Sequence, residues 1–191
     1  MKKITIALIM VISLIAPIQT MAESVTQNGT IIEPLEQNIE QIIDEITSEP
    51  RPINSDAIQN VKEYISKYFG NLGYDNIEYQ KFEYNDENNE NAIRHSSQAD
   101  VFLASTAEDA IVDGIGENII VTKNSSIDTT KNLIISAHYD SAEDSVGAND
   151  NGSGVAAVLE LARILKDTEI PYNIKFILFS GEEKYMLGSR W

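Results

Sequence analysis

The chain has 191 residues, no cysteine, and 30 acidic against 14 basic side chains, for a net charge of −16. That length is a prior for one domain with a small appendage, and a hydrophobic share of 42% suffices for a packed core. The missing cysteine excludes disulfides, thiolate metal sites and a lipid-modified N-terminal cysteine, and the acid excess disfavours nucleic acid and anionic lipid as partners.

Residues 1–22 have the layout of a secretory signal peptide. Lys2 and Lys3 form a positive start, Ile4 to Ile15 an apolar run, and Thr20-Met21-Ala22 a small-residue cleavage site before Glu23. The apolar run is short for a spanning helix, which needs about 20 residues. A secreted or periplasmic protein, with no membrane attachment once the leader is cut, is therefore expected. Residues 23–33, rich in Ser, Thr, Gln, Asn and Gly, read as a flexible linker, and 34–191 as the folded domain.

From Glu33 the pattern turns helical. Leu35, Ile39, Ile42, Ile43 and Ile46 recur at a spacing of three and four, and Pro50-Arg51-Pro52 ends the helix. Ser55 and Asp56 can open a second helix as cap and acidic first turn. Its apolar stripe is Ile58, Val61, Tyr64, Ile65, Tyr68, Phe69 and Leu72, and Gly70 or Gly73 closes it. Such stripes pack a core. Tyr74 to Tyr84 suggests a strand, 85–100 a solvated acidic loop that contains His95, Asn118 to Thr122 a strand, and Asn124 to Lys131 a polar turn.

The chemistry concentrates after Asn132. An apolar strand, Asn132 to Ala137, runs into His138-Tyr139-Asp140. A polar loop closes on Gly147-Ala148-Asn149-Asp150-Asn151-Gly152-Ser153-Gly154. A helix from about Ser153 to Asp167 follows, with Glu160 inside it as an exposed or locally paired acid. The strand Asn173 to Phe179 then delivers Ser180-Gly181-Glu182-Glu183. Strand, helix and strand predict a βαβ unit with parallel strands, whose carboxyl ends share one edge. Ligands of such sheets bind beyond that edge, so His138, Asp150 and Glu183 are expected to converge.

One imidazole and two carboxylates suit a divalent metal of zinc type. Asp140, two residues on in an extended segment, can accept the free ring N–H of His138. Glu182 and Glu183 point apart, so one can bind metal while the other serves as general base. The glycine-rich loop could instead cradle phosphate, but it carries no Lys or Arg and Asp150 would repel the anion.

These motifs, in this order, resemble the zinc aminopeptidases of metallopeptidase family M28, the secreted bacterial enzymes above all. The resemblance implies an α/β fold with a mostly parallel sheet and helices on both faces. It also implies two zinc ions. His138 would bind the first, Asp150 would bridge both, and Glu183 would bind the second. Glu182 would be the general base and Asp140 the acid that orients His138. The substrates would be peptides or proteins with a free N-terminus. The family's remaining ligands, an Asp and a His, come later in its chain than Trp191 stands here. His95 does not occupy a ligand's place in the motif order. The expectation is the front part of an enzyme, weakly active or inactive by itself. The rival readings are a binding module that kept the fold without catalysis, and carboxypeptidase or glutaminyl cyclase chemistry on the same scaffold.

Overall fold

The computed structural model describes residues 26–27, 30–31, 34–84 and 114–191. The leader at 1–22, most of the linker 23–33, the acidic loop and His95 lie outside the described residues. Within the linker, β1 (Thr26–Gln27) pairs antiparallel with β2 (Thr30–Ile31). That segment to Pro34 forms one compact unit, and Leu35–Trp191 forms another.

The larger unit opens with α1 (Glu36–Ile46) and α2 (Asp56–Asn71). The Ser55 hydroxyl accepts the Ile58 N–H at 3.1 Å, the expected cap. No side chain within α1 caps it; the carboxylate of Glu160, far along the chain, accepts the Leu35 N–H at 2.8 Å. The expected stripes are buried at Ile42 and Ile46 of α1 and at Ile58, Val61, Ile65 and Phe69 of α2, and partly at Ile39, Ile43, Tyr64, Tyr68 and Leu72; Leu35, which precedes α1, is exposed.

A four-stranded sheet takes the order β3-β4-β6-β5, with β3 at Ile77–Tyr84, β4 at Gly114–Lys123, β5 at Asn132–His138 and β6 at Asn173–Phe179. β5 and β6 are parallel and joined through α3 (Ser153–Leu165), the expected βαβ unit. The parallel expectation applies to this pair. β4 runs antiparallel to β3 and to β6. The physical reason lies in the connection: the polar turn Asn124–Lys131 is too short for a crossover helix, so β4 and β5 must run in opposite directions. That turn is pinned beside β6, where the Ser126 N–H donates to Ile170 O at 3.0 Å and the Ser125 N–H to Asn173 Oδ1 at 2.9 Å.

Strands β3 and β4 depart from their sequence bounds. β3 begins three residues later than Tyr74, because Tyr74 turns inward, donates to Ala162 O at 3.0 Å and meets the edge of the Phe69 ring. β4 begins before Asn118 and includes two glycines. The ring of Phe82, paired with Gly116 across the ladder, lies over it; a Cβ there would stand 2.1 Å from that ring.

The core lies on one face of the sheet. Ile119 and Val121 of β4 and Ile174, Phe176 and Leu178 of β6 pack against α1, α2 and α3, whose Val155, Val158, Leu159 and Ala162 are buried. The opposite face meets a short helix, α4 (Leu187–Arg190), through Asn118, which donates to Gly188 O at 2.8 Å. Glu160 is buried rather than exposed. It is locally paired, with Oε1 2.7 Å from Arg163 Nη2 and Oε2 accepting from Arg163 Nε at 2.9 Å.

Candidate metal centre

The register of β5 on β6 pairs His138 with Phe179. Both strands therefore end level, and the loops that follow them lie side by side beyond the carboxyl edge. The His138 ring is buried at this edge. Its Nδ1 sits 3.2 Å from the carbonyl oxygen of Asp140 and 3.4 Å from the Asp140 carboxylate. Its Nε2 faces outward, 3.1 Å from Asp150 Oδ1 and 3.8 Å from Glu182 Oε2. Asp150 is 77% exposed and Glu182 half-buried, so the outward side of the ring is open to solvent. The Asp150–Asn151 peptide bond is cis.

Asp140 is 1% exposed. Its carboxylate accepts the Glu182 N–H at 3.2 Å and the Glu183 N–H at 3.1 Å. It thus joins the loop after β5 to the loop after β6, in addition to standing behind His138. Of the five residues singled out by sequence, His138, Asp140, Asp150 and Glu182 meet through side chains. Glu183 joins through its backbone N–H and carries an exposed side chain.

The electrostatics are those of crowded acids around one imidazole. Burial alone would lower the pKa of His138. The hydrogen bond and charge of Asp140, then Glu182 and Asp150, outweigh it and push the value up to about 9. The Glu183 carboxyl is pushed up by burial first, then by Asp150, Asp140 and Glu182, against the opposing pull of His138. A site whose acids repel one another in this way favours a cation among them.

The donors fit zinc in kind. Two atoms about 2 Å from one tetrahedral ion stand about 3.3 Å apart, close to the 3.1 Å between His138 Nε2 and Asp150 Oδ1. Among the described residues, no three His, Asp or Glu side chains gather closely enough to hold an ion by themselves.

Two contributors escape sequence reasoning. Asn118 is fully buried; it donates to Gln80 Oε1 and Gly188 O and accepts the Ser180 N–H at 3.1 Å, which fixes the root of the Glu182 loop. Arg51, read only as part of a helix stop, is fully buried against the loop after His138. The sole available signal was an arginine between two prolines, in a chain short of basic residues.

The sequence and the fold both resemble those of known proteins. Residues 118–191 match Peptidase family M28. An "Aminopeptidase YwaD" of Bacillus subtilis is 43% identical over 81 residues, which cover 42% of this chain and 18% of that protein. A "Vacuolar membrane protease" of Schizosaccharomyces japonicus is 31% identical over 150 residues, covering 78% of this chain and 16% of that protein. The chain thus spans less than a fifth of the length of these curated relatives. Among solved structures, BSAP, a zinc aminopeptidase from Bacillus subtilis, superposes with a TM-score of 0.66 at 18% identity, over 84% of this chain and 65% of that one. A glutaminyl cyclase of Porphyromonas gingivalis superposes with a TM-score of 0.55 at 19% identity, over 75% of this chain and 44% of that one. These structures share the fold, and residues 118–191 carry the match to peptidase family M28.

Proposed function

We propose that the protein is an exported zinc-dependent aminopeptidase whose site lies where β5 and β6 end. One observation carries the reading. Asp140 cross-links the two loops, and this sets the outward nitrogen of His138 against Asp150 with Glu182 alongside. His138, Asp150 and Glu183 would hold the metal, with Asp150 shared by two ions as the family resemblance implies. Zinc bound there would polarise the scissile carbonyl and acidify a water molecule.

The remaining work falls to this chain's own groups. Asp140 keeps the His138 ring turned with Nε2 outward. Glu182, half-open to solvent, takes the proton of the attacking water and returns it to the departing amine nitrogen as the C–N bond breaks. The substrate's free α-amino group, a cation, suits the acidic rim of Asp150, Glu182 and Glu183. Export rests on the leader-like residues 1–22. No described helix is long and apolar enough to cross a membrane.

The test is an assay of an aminoacyl chromogenic substrate beside its N-acetylated form and a C-terminally blocked peptide. Release from the free amine alone, weak where His138, Asp150 and Glu183 are the only ligands, lost with a chelator and restored by zinc, is expected. Release of C-terminal residues would reassign the protein to carboxypeptidases. Cyclisation of an N-terminal Gln without peptide cleavage would reassign it to glutaminyl cyclase chemistry.

A further inference from the structure

Arg51 stands between Pro50 and Pro52. A proline restricts the residue before it, so Pro52 biases the Arg51 backbone toward an extended conformation. Its side chain is fully buried, and every bond it makes ends on the segment that separates His138 from Asp150. Nε donates to Tyr139 O at 2.7 Å, Nη1 to Val146 O, and Nη2 to Gly147 O at 3.0 Å. The backbone joins in, with Arg51 N–H on Ser141 Oγ at 2.9 Å and Ser141 N–H on Arg51 O at 3.3 Å. One planar guanidinium therefore clamps the start and the end of the loop at once.

The loop has no slack at the far end. Gly147 sits at φ +57, a left-handed conformation, and a Cβ there would stand 2.5 Å from Asp150 O and 3.3 Å from Arg51 Nη1. Gly147 O also accepts the Gly152 N–H at 2.9 Å. Asp150 is thus held from the guanidinium through Gly147. All three acceptors on the guanidinium are carbonyls, so its charge is left for the acids in front of it. Burial lowers the pKa of the guanidinium, and the charges of Asp140 and Glu183 oppose that shift.

We propose that Arg51 is a positioning residue of the metal site: its buried guanidinium clamps residues 139–147 and fixes Asp150 opposite His138. The inference rests on the zinc reading above. A lysine, with one point charge on a flexible stem, cannot span Tyr139 O, Val146 O and Gly147 O together. The clamp therefore requires arginine, not merely a cation.

The experiment titrates zinc and cobalt(II) into the intact protein and into Arg51→Lys, Ser141→Ala, His138→Ala and Ile65→Val. Ile65→Val loosens the distant core between α2 and the sheet and controls for plain destabilisation. Arg51→Lys is expected to weaken zinc binding about 10- to 100-fold, the usual effect of losing a partner behind the ligands, and to alter the visible spectrum of bound cobalt at saturation. Ser141→Ala, which removes the acceptor of the Arg51 N–H together with the hydroxyl's own bonds to Ala142 O and Ser145 O inside the clamped loop, is expected to weaken binding by a smaller factor, and it serves alone if Arg51→Lys does not fold. Ile65→Val should keep both affinity and spectrum. Unchanged zinc affinity and an unchanged cobalt spectrum in the folded Arg51 variant, or in Ser141→Ala where only that one folds, overturns the proposal. Equal affinity in wild type and His138→Ala would instead overturn the zinc reading on which it stands.

Discussion

Asp140 and Glu183 are tied by a hydrogen bond from the Glu183 N–H to Asp140 Oδ2, 3.1 Å long, which no amount of metal is needed to form. The other oxygen holds the Glu182 N–H at 3.2 Å and lies 3.4 Å from His138 Nδ1. A carboxylate with these partners has two duties, one toward the imidazole and one toward the second loop. Asp140→Ala should therefore lower the stability of the metal-free protein by about 2–4 kcal/mol, since two N–H groups lose a charged acceptor, and weaken zinc binding about 10- to 100-fold. Urea denaturation with and without chelator, followed by zinc titration, measures both. A variant that loses zinc affinity at unchanged metal-free stability would confine Asp140 to its role behind His138.

The His138 imidazole should couple zinc uptake to pH. Its pKa is raised to about 9 in the folded, metal-free protein, above an unfolded value of about 6.5. The sign follows. Protonated His138 contributes stability that is fully present below about pH 6.5 and is lost as pH rises through about 9. A metal takes the neutral ring, so binding at pH 7.5 must release close to one proton, and affinity should rise about tenfold per pH unit until it flattens near pH 9. Calorimetric titration in buffers of different ionisation enthalpy counts that proton. A count near zero would mean that the ring is already neutral before the metal arrives.

Much of this was legible from sequence because the signals were local. The stripe of Ile42 and Ile46, the Ser55 cap and the bounds of β6 each follow from a few neighbouring residues. The placement of the five proposed site residues after two strand ends was legible because short motifs follow the apolar strands directly. The rest depended on partners far along the chain. Gly116 belongs to a strand only because Phe82 covers it. Glu160 is buried because Leu35, Asn38 and Arg163 gather around it. Arg51 and most of the bonds of Asn118 end on main-chain groups, and those groups carry no residue identity that a sequence could reveal.

Glu182 and Glu183 should separate by mutation. Glu182→Gln keeps the shape of the side chain and removes its basicity, so turnover should fall at least 100-fold, within the usual range for a general base, with zinc content unchanged. Glu183→Gln should lower zinc occupancy, because a neutral amide is a poorer ligand for a divalent ion. Metal analysis of both variants after dialysis, beside their kcat and KM, decides the matter. Equal zinc loss in the two would show that the roles are divided wrongly.

Glu160 should matter to folding and not to the site. Its carboxylate accepts from Leu35 N–H at 2.8 Å and Asn38 Nδ2 at 2.5 Å, and it pairs with Arg163. Burial would raise its pKa, but the hydrogen bonds of Arg163, Leu35 and Asn38 win and lower it. An acid with a depressed folded pKa contributes stability above its unfolded value, about 4.3, and loses that contribution as pH falls through the folded value. Glu160→Gln keeps one acceptor oxygen, turns the other into an NH2 group that faces the Leu35 or the Asn38 donor, and removes the negative charge beside Arg163. The cost should be about 1–3 kcal/mol at pH 7, with zinc affinity unchanged. The gap between wild type and variant should hold from neutral pH down to about 5 and close in stronger acid. Urea midpoints at pH 7, 5 and 3 follow it. A gap that stays constant down to pH 3 would mean that the contribution comes from packing and not from the charge.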